Sequence, residues 1–423
     1  MKSGELPGPG AEPPVPPVEI RVLHRTEHLV TAAHVFRAAM VGLPALHTID
    51  DTVLKRLFEP ARAFGAFDRG NLVGTTNSHA SSIRVPGGHW VRQAAVTHVG
   101  VLPSHRRRGI AKALLVAQLR AARQAGEPIA TLRATEGHIY GNFGYGIANR
   151  VMDVELDRST AKLRPGLDRA QIVCVEPVDA CWARLRKIFE NHLAPRVAAV
   201  SRGDIWWCAT LARMAHGPTR AYAAICGDAG GDTGYVRYHA ASGGDWFESR
   251  NRAVIVDDLV AHDAQAYVAL IGYLLDLDIA HRIALSTRPL DDVLPFLLED
   301  SRSVRVSAVR DETWLRLVDA EAAFAASTFE DRAGVEPIVL EIVDRLLPEN
   351  AVKLRFASGH VERVNCRADV IADISSASAA FLGGTRWWQL AESGRLQISD
   401  RLGVVRLDRL QDNLVSPFGG TSF

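Results

Sequence analysis

Residues 96–146 read VTHVGVLPSHRRRGIAKALLVAQLRAARQAGEPIATLRATEGHIYGNFGYG. Valine and alanine dominate the run from Ala94 to Val101, which predicts a buried strand. The following residues place apolar side chains at helical spacing as far as Gly126. A second strand is predicted from Pro128 to Ala134. This strand–helix–strand order indicates an α/β unit.

A basic turn that contains glycine joins the first strand to the helix, and it consists of Arg106, Arg107, Arg108, Gly109, Ile110 and Ala111. Free N–H groups and the positive end of a helix dipole attract anions, and three guanidinium groups strengthen that attraction. The pattern therefore predicts a pyrophosphate site. It is neither a P-loop nor a dinucleotide fingerprint, because Gly-Lys-Ser/Thr and Gly-x-Gly-x-x-Gly are both absent. An ordinary solvated basic turn is the alternative.

Two motifs carry a resemblance to a known family. Val99-Gly100-Val101 followed by Arg106-x-x-Gly109-x-Ala111 resembles the acetyl-CoA motif of the GNAT acetyltransferase superfamily. Residues 135–146, TEGHIYGNFGYG, resemble the matching segment of the Eis (enhanced intracellular survival) family of aminoglycoside and lysine N-acetyltransferases. The resemblance runs from about Glu19 to Phe423. It implies acetyl-CoA as co-substrate, held by Val99, Gly100, Val101, Arg106, Arg107, Arg108, Gly109, Ile110, Ala111, Thr135 and Glu136.

Composition limits the class of protein. The chain has 423 residues, 47% of them hydrophobic, and a net charge of +1, which indicates a globular protein of two or three domains. The balanced charge argues against a nucleic-acid-binding protein, and no run is long enough to span a membrane. Five scattered cysteines show no metal-ligand spacing, so we expect no metal site and reduced thiols in the cytoplasm.

The expected fold class is α+β, with two GNAT-like mixed-sheet domains followed by a sterol-carrier-like α+β domain. Residues 1–18 are rich in proline and glycine and predict a disordered tail. A catalytic domain is expected over residues 19–156, including a helix from Asp50 or Asp51 to Phe58. A degenerate GNAT-like domain follows over 157–306, where Asp263 offers a helix cap and no phosphate cradle. The last domain, 307–423, is expected to bring the chain terminus to the active site.

Acetyl transfer from a thioester needs a polarised carbonyl, an acid for the departing thiolate and a route for the amine protons. A backbone N–H near Val99 or Val101 can polarise the carbonyl. Tyr140 matches the family's catalytic tyrosine, with Tyr145 and Phe143 as nearby competitors. By resemblance, the base is the C-terminal carboxylate of Phe423. Weaker candidates are Glu136, Asp50, Asp51, His98 and His138.

The acceptor is expected to be an amine-bearing small molecule, with aminoglycosides among the candidates. Family members with that activity carry acids in the first helix and just before the terminal residue. Here the matching positions are Phe36 to Ala39 and Ser422, which predicts a less negative acceptor pocket. Two alternatives stay open, namely a protein-lysine acetyltransferase and a non-catalytic acetyl-CoA sensor. A hexamer is expected by resemblance alone.

Overall fold

The computed structural model describes the chain over most of its length, at residues 18–43, 62–167, 171–192, 196–215, 219–241, 246, 248–249, 251–327, 336–357 and 359–421. The predicted helix ending at Phe58 lies outside these ranges, and so do Ser422 and Phe423. Within them, no helix combines the length and the apolar character needed to cross a membrane.

The first part of the chain is a mixed sheet with helices packed against it. Its elements are β1 (Glu19–Val22), α1 (Thr26–Met40), β2 (Phe64–Asp68), β3 (Asn71–Arg84), β4 (Trp90–Val101), α2 (Ile110–Gln124), β5 (Ile129–Leu132), α3 (Gly137–Tyr140) and β6 (Gly146–Asp157). Helix α2 forms because its apolar residues share one face, and it buries Leu114, Leu115 and Leu119 against the sheet. The predicted strand–helix–strand order is confirmed.

The second part repeats this arrangement. Its elements are β7 (Ile172–Pro177), α4 (Val178–Glu190), α5 (Asp204–Ala215), β8 (Ala221–Asp228), β9 (Gly231–Ala240), β10 (Ala253–Ala261), α6 (Ala264–Leu275), β11 (Arg282–Pro289), α7 (Leu294–Leu297) and β12 (Val304–Leu317). Twelve strands of the described chain form one continuous sheet, in the order β1-β2-β3-β4-β5-β12-β6-β11-β10-β9-β8-β7. The two halves therefore share a single sheet.

The third part has its own sheet. Its elements are α8 (Ala320–Ala325), β13 (Ile338–Val343), β14 (Val352–Ala357), β15 (His360–Arg363), β16 (Val370–Asp373), α9 (Ile374–Ala380), α10 (Trp387–Glu392), β17 (Leu396–Ile398) and α11 (Arg401–Leu410). Five strands of the described residues pair in the order β15-β14-β13-β16-β17. One apolar cluster joins this sheet to the first part through Leu315 and Leu317.

Strand β12 crosses the expected boundary between residues 306 and 307. It runs unbroken from Val304 to Leu317, and its last residues pair with β5 from Trp314–Leu132 to Leu317–Ile129. Residues 305–310 are mostly exposed, whereas 312–317 are buried. The apolar pattern therefore appears only at the end of the strand, which is why the sequence suggests a new domain there.

Candidate active site

A wedge opens in the large sheet between β4 and β5. These parallel strands pair only from Gln93–Ile129 to Ala95–Thr131. Beyond that point β4 continues to Val101 against β3, while β5 ends at Leu132. The diverging strands leave a gap between two backbones with room for a narrow ligand. We call this gap the splay, and the GNAT resemblance implies that acetyl-CoA enters it.

A β-bulge lies on β4 at the mouth of the wedge. His98 and Val99 together oppose one residue of β3, and His98 has a φ of +52°. The bulge breaks the regular ladder at Val99, where a backbone N–H was expected to polarise a carbonyl. Gly100 follows, and a Cβ there would lie 3.2 Å from the Cα of Phe36. Glycine thus lets α1 pack closely against the strand.

The basic turn has the geometry of an anion site. Helix α2 begins at Ile110 after Gly109, whose φ is +76° and which supplies no side-chain cap. The first backbone N–H groups of α2 therefore have no side-chain acceptor at the cap. Arg106 and Arg107 are exposed, and no described carboxylate forms an ion pair with either.

Arg108 has a different contact from the one that the sequence suggests. Its Nη1 lies 2.8 Å from Oδ2 of Asp68 in the β2–β3 turn, and Nε2 of His105 lies 3.2 Å from the same oxygen. The hydrogen bond from Arg108 lowers the pKa of Asp68. Arg108 thus tethers the basic turn, and a direct phosphate contact through it would have to compete with this ion pair.

Tyr140 is buried where the turn after β5 folds back on the sheet, with 8% of its surface exposed. Its ring centroid lies 6.0 Å from that of Tyr145 and 6.3 Å from that of Trp314. Burial raises the pKa of Tyr140 above its ordinary value, so the phenol stays protonated near neutral pH. The neighbouring Gly141 is exposed, and a Cβ there would meet nothing within 4 Å.

The other candidates around this turn lie at different depths. Thr135 and Glu136 are exposed, and the Glu136 carboxylate lies 3.5 Å from Nδ1 of His138. The Tyr145 hydroxyl is buried and has no hydrogen-bond partner among the described residues. Phe143 is a core residue.

His98 is uncharged near neutral pH. Burial, together with the charges of His79, Arg37 and Arg213, lowers the pKa of His98 to about 3. A base of that strength holds no proton at pH 7, so the imidazole cannot serve as a proton store there.

A buried ion pair holds the Tyr140 turn against the third domain. Arg316 is fully buried; its Nε donates to the Phe143 carbonyl at 2.9 Å and its Nη2 lies 2.5 Å from Asp344. The sequence gives little indication of this contact, because Arg316 on β12 lies 28 positions from Asp344, which follows β13 in the other sheet.

The C-terminal tail folds back onto the large sheet. Backbone N–H groups of Gly419 and Gly420 donate to the two oxygens of Glu312 at 2.9 and 2.8 Å. Arg133, which follows β5, lies 3.2 Å from Glu312 and also donates to the Thr421 carbonyl. Glu312 therefore holds both the tail and the arginine at the open end of β5.

A second buried arginine fixes the tail from the other side. Arg202 donates to the Gly420 carbonyl at 2.9 Å and forms two hydrogen bonds with Asp258, at 2.6 and 3.0 Å. Burial opposes ionisation of Asp258, but Arg202 outweighs it and holds the pKa of that carboxyl below its ordinary value. Thr421 is 3% exposed and is the last described residue. Phe423, the expected base, is two residues further and outside the described chain.

A cavity of about 670 Å³ borders this tail and separates the end of β5 from the second half of the sheet. Its lining includes Arg133, Glu312, Arg213, Arg237 and Thr421. Asp311, also in the lining, accepts a hydrogen bond from the indole of Trp314, whose ring neighbours Tyr140. Trp314 thus connects the cavity to Tyr140, which is not itself part of the lining.

Comparisons with known proteins agree with this architecture. Residues 19–148 and 198–317 each match an acetyltransferase (GNAT) domain, and 320–418 match a sterol carrier protein domain. An uncharacterized N-acetyltransferase of Streptomyces coelicolor is 33% identical over 82% of this chain and 85% of its own length. The N-acetyltransferase Eis of Mycobacterium tuberculosis is 29% identical over 77% and 79%.

A solved structure gives the same result. The crystal structure of Eis1 from Mycobacterium abscessus has a TM-score of 0.87 and 40% identity, and the match covers 96% of this chain and 100% of that one. The predicted fold class and family are both confirmed. With two GNAT domains in series and relatives of this identity along most of its length, the chain belongs to the Eis family and is an acetyl-CoA-dependent N-acetyltransferase.

Proposed function

We propose that the chain transfers the acetyl group of acetyl-CoA to a primary amine of a small-molecule acceptor, with Tyr140 as general acid. The position of Tyr140 carries this proposal. It is buried in the turn that follows the splayed strand β5, and Trp314 connects it to Asp311 in the lining of a cavity large enough for a small acceptor.

The donor site is formed by the wedge and the basic turn. The N–H groups at the start of α2, together with Arg106 and Arg107, bind the pyrophosphate, since they carry positive charge without a described acidic partner. Val99 at the bulge offers a backbone N–H to the thioester carbonyl. Thr135 and Glu136 border the open end of the turn, and Ala111 leaves space at the first helical turn.

In the transfer step, the amine nitrogen attacks the carbonyl carbon and the carbon–sulfur bond breaks. The departing thiolate takes the Tyr140 proton, and the proton lost by the amine restores the phenol through solvent or a carboxylate. A free phenol has a pKa of ~10 and a thiol of ~8.5. By these values, transfer from the phenol to a free thiolate is uphill by ~1.5 pKa units. Burial raises the pKa of Tyr140 but also destabilises the thiolate formed beside it, and the proton that the amine loses restores the phenol.

We infer that the carboxylate of Phe423 orients the amine and relays its proton. Thr421 is anchored by Arg133 beside the end of β5, and two further residues reach at most about 7 Å. A C-terminal carboxylate has a pKa of roughly 3.5, so it positions the ammonium better than it stores a proton. Replacing Phe423 with Leu keeps the carboxylate, whereas adding one glycine after Phe423 displaces it. We expect only the second change to lower kcat/KM for the amine.

The test of the enzyme is CoA release from acetyl-CoA, followed with a thiol reagent across aminoglycosides, polyamines, amino acids and lysine peptides. Turnover with small amines supports the proposal. Turnover only with lysine in proteins would favour the protein acetyltransferase. Tight acetyl-CoA binding without turnover on any acceptor would favour the sensor.

The family resemblance also implies a hexamer in the cytoplasm. Light scattering coupled to size-exclusion chromatography measures the assembly, and a mass near that of one chain would contradict it.

A further inference from the structure

The acceptor cavity contains acidic groups, but described partners hold them all. Both oxygens of Asp258 bind Arg202, and Glu312 binds Arg133 and the tail. Asp257 lies 2.8 Å from Nδ1 of His239. Asp311 accepts from the Trp314 indole. Arginines therefore neutralise Asp258 and Glu312, whereas Asp311 has a neutral partner and keeps its negative charge.

Two arginines that line the same cavity differ from the neutralised acids, because neither forms an ion pair within the described ranges. Arg213 on α5 donates to the Ala209 carbonyl at 3.4 Å and the Thr210 hydroxyl at 3.2 Å. Arg237 on β9 is 7% exposed and donates to the Met214 sulfur at 2.7 Å, although sulfur is a weak acceptor.

The positive charges of these two arginines lack a counter-ion among the described residues. Burial and then repulsion by Arg237 lower the pKa of Arg213, so the two guanidinium groups are close enough to oppose each other's charge. Asp258 also feels the charge of Arg237, but its oxygens are already taken by Arg202. Buried or partly buried charges of this kind are normally paired.

We propose that Arg213 and Arg237 bind an oxyanion of the acceptor, a carboxylate or a phosphate, so that the preferred substrate is an amine that also carries an anionic group. This inference rests on the proposed transfer to a small amine and names the substrate class. Arg213, Arg237 and Asp311 all line the cavity, and Asp311 accepts a hydrogen bond from Trp314, whose ring centroid lies 6.3 Å from that of Tyr140. In this proposal the acceptor binds the arginines through its oxyanion and directs its amine toward Asp311 and Tyr140.

Matched acceptors test the proposal. Lysine and lysinamide differ by a carboxylate against a neutral amide, and phosphoethanolamine and ethanolamine differ by a phosphate. We expect kcat/KM to be at least about tenfold higher for the anionic member of one or both pairs, since a charged hydrogen bond contributes this much. If the enzyme prefers the anionic member in only one pair, that pair shows whether the arginines bind a carboxylate or a phosphate.

The variants Arg213→Gln and Arg237→Gln should bring this ratio close to one. Arg186→Gln is the control, because Arg186 lies in the same domain, pairs with Glu190 and Asp204 and does not line the cavity. It removes the same charge and should leave the ratio unchanged. Circular dichroism of each variant checks that the fold is kept.

Calorimetry of the four amines with the CoA-bound protein separates this inference from the proposed function. Stronger binding of the anionic members, lost in the two variants, supports it even if no amine is acetylated, in which case the proposed transfer fails alone. Equal or absent binding within both pairs overturns it. A wild-type ratio that survives both substitutions also overturns it.

Discussion

The two GNAT domains have the same opening in the sheet but differ at the helix that follows. In the second domain, parallel β10 and β11 pair only from Ala253–Arg282 to Val256–Leu285, and a bulge interrupts β10 beside Asp257. The first domain has the same splay, with its bulge at His98. A cavity of about 670 Å³ lies against the diverging ends of β10 and β11 and reaches Phe418 of the tail.

The difference lies at the helix N-terminus. In the first domain α2 begins after Gly109, which has no side chain to cap it. In the second, the Asp263 carboxylate accepts from the Ala266 N–H at 2.8 Å at the start of α6. A capping carboxylate occupies the N–H groups that a phosphate would use and repels it. We therefore propose that the splay alone does not make an acetyl-CoA site, and that the uncapped basic turn determines which half binds the donor.

The largest effect is expected from Tyr140→Phe, which removes the phenol that we propose as the proton donor. Since positioned proton transfer contributes about 10²- to 10⁴-fold, kcat should fall by that factor while acetyl-CoA affinity is kept. Tyr145→Phe is the matched control, because it removes a buried hydroxyl from a neighbouring ring. A large loss in Tyr145→Phe with an active Tyr140→Phe would reverse the two roles.

Gly109→Asp gives the first domain the acidic cap of the second. Aspartate tolerates a positive φ better than most residues, and its charge would repel a pyrophosphate bound at this helix N-terminus, so the KM for acetyl-CoA should rise roughly 10- to 30-fold. Gly109→Asn has nearly the same shape without the charge and should raise KM far less. Equal effects of the two would show that backbone strain, and not charge, matters there.

Glu312→Gln weakens the attachment of the tail, which in our proposal brings the terminal carboxylate to the first domain. The amide keeps one acceptor but loses the charge that holds Arg133 and two backbone N–H groups. We expect kcat/KM for the amine to fall roughly tenfold, because a charged hydrogen bond is weakened. The KM for acetyl-CoA should not change, and steady-state kinetics with each substrate varied measures both.

The control for this change is Glu341→Gln, which removes an acid paired with Lys353 in the third domain, away from the tail. Its kinetics should equal those of the unmodified chain. If Glu312→Gln behaves in the same way, the tail is held by its other contacts alone.

Asp263→Ala should have the smallest effect. It removes the helix cap in the second domain and should lower the free energy of unfolding by about 1 kcal/mol, which urea denaturation measures. The KM for acetyl-CoA should stay within about twofold of its original value. A larger change in KM would mean that the second domain takes part in donor binding.

Local motifs predict the features that are formed by residues close together in the sequence. The basic turn, the helix after it and the cap at Asp263 all follow from short patterns, and the structure confirms these elements. The role of Tyr140 follows from resemblance and is still a prediction. The pairing of Arg108 with Asp68 is not predicted, because an exposed arginine in a phosphate-like turn gives no sign of a carboxylate 40 positions away.

The features that join the domains could not be predicted, since they connect distant parts of the chain. The Glu312 contacts with the tail link residues 107 and 108 positions apart, and the Arg202 contact with Gly420 links residues 218 apart. The one available signal was the presence of charged residues inside apolar strands, since such residues need a partner when buried. That signal indicates a partner without identifying it.

Whether only the first GNAT domain binds the donor is tested most directly by a calorimetric titration of the full chain with CoA, repeated with Gly109→Asp and Asp263→Ala. We predict one CoA per chain, weaker binding in Gly109→Asp and unchanged binding in Asp263→Ala. Two CoA molecules per chain, or binding that is unchanged in Gly109→Asp and altered by Asp263→Ala, would contradict the conclusion that the basic turn of the first domain holds the donor.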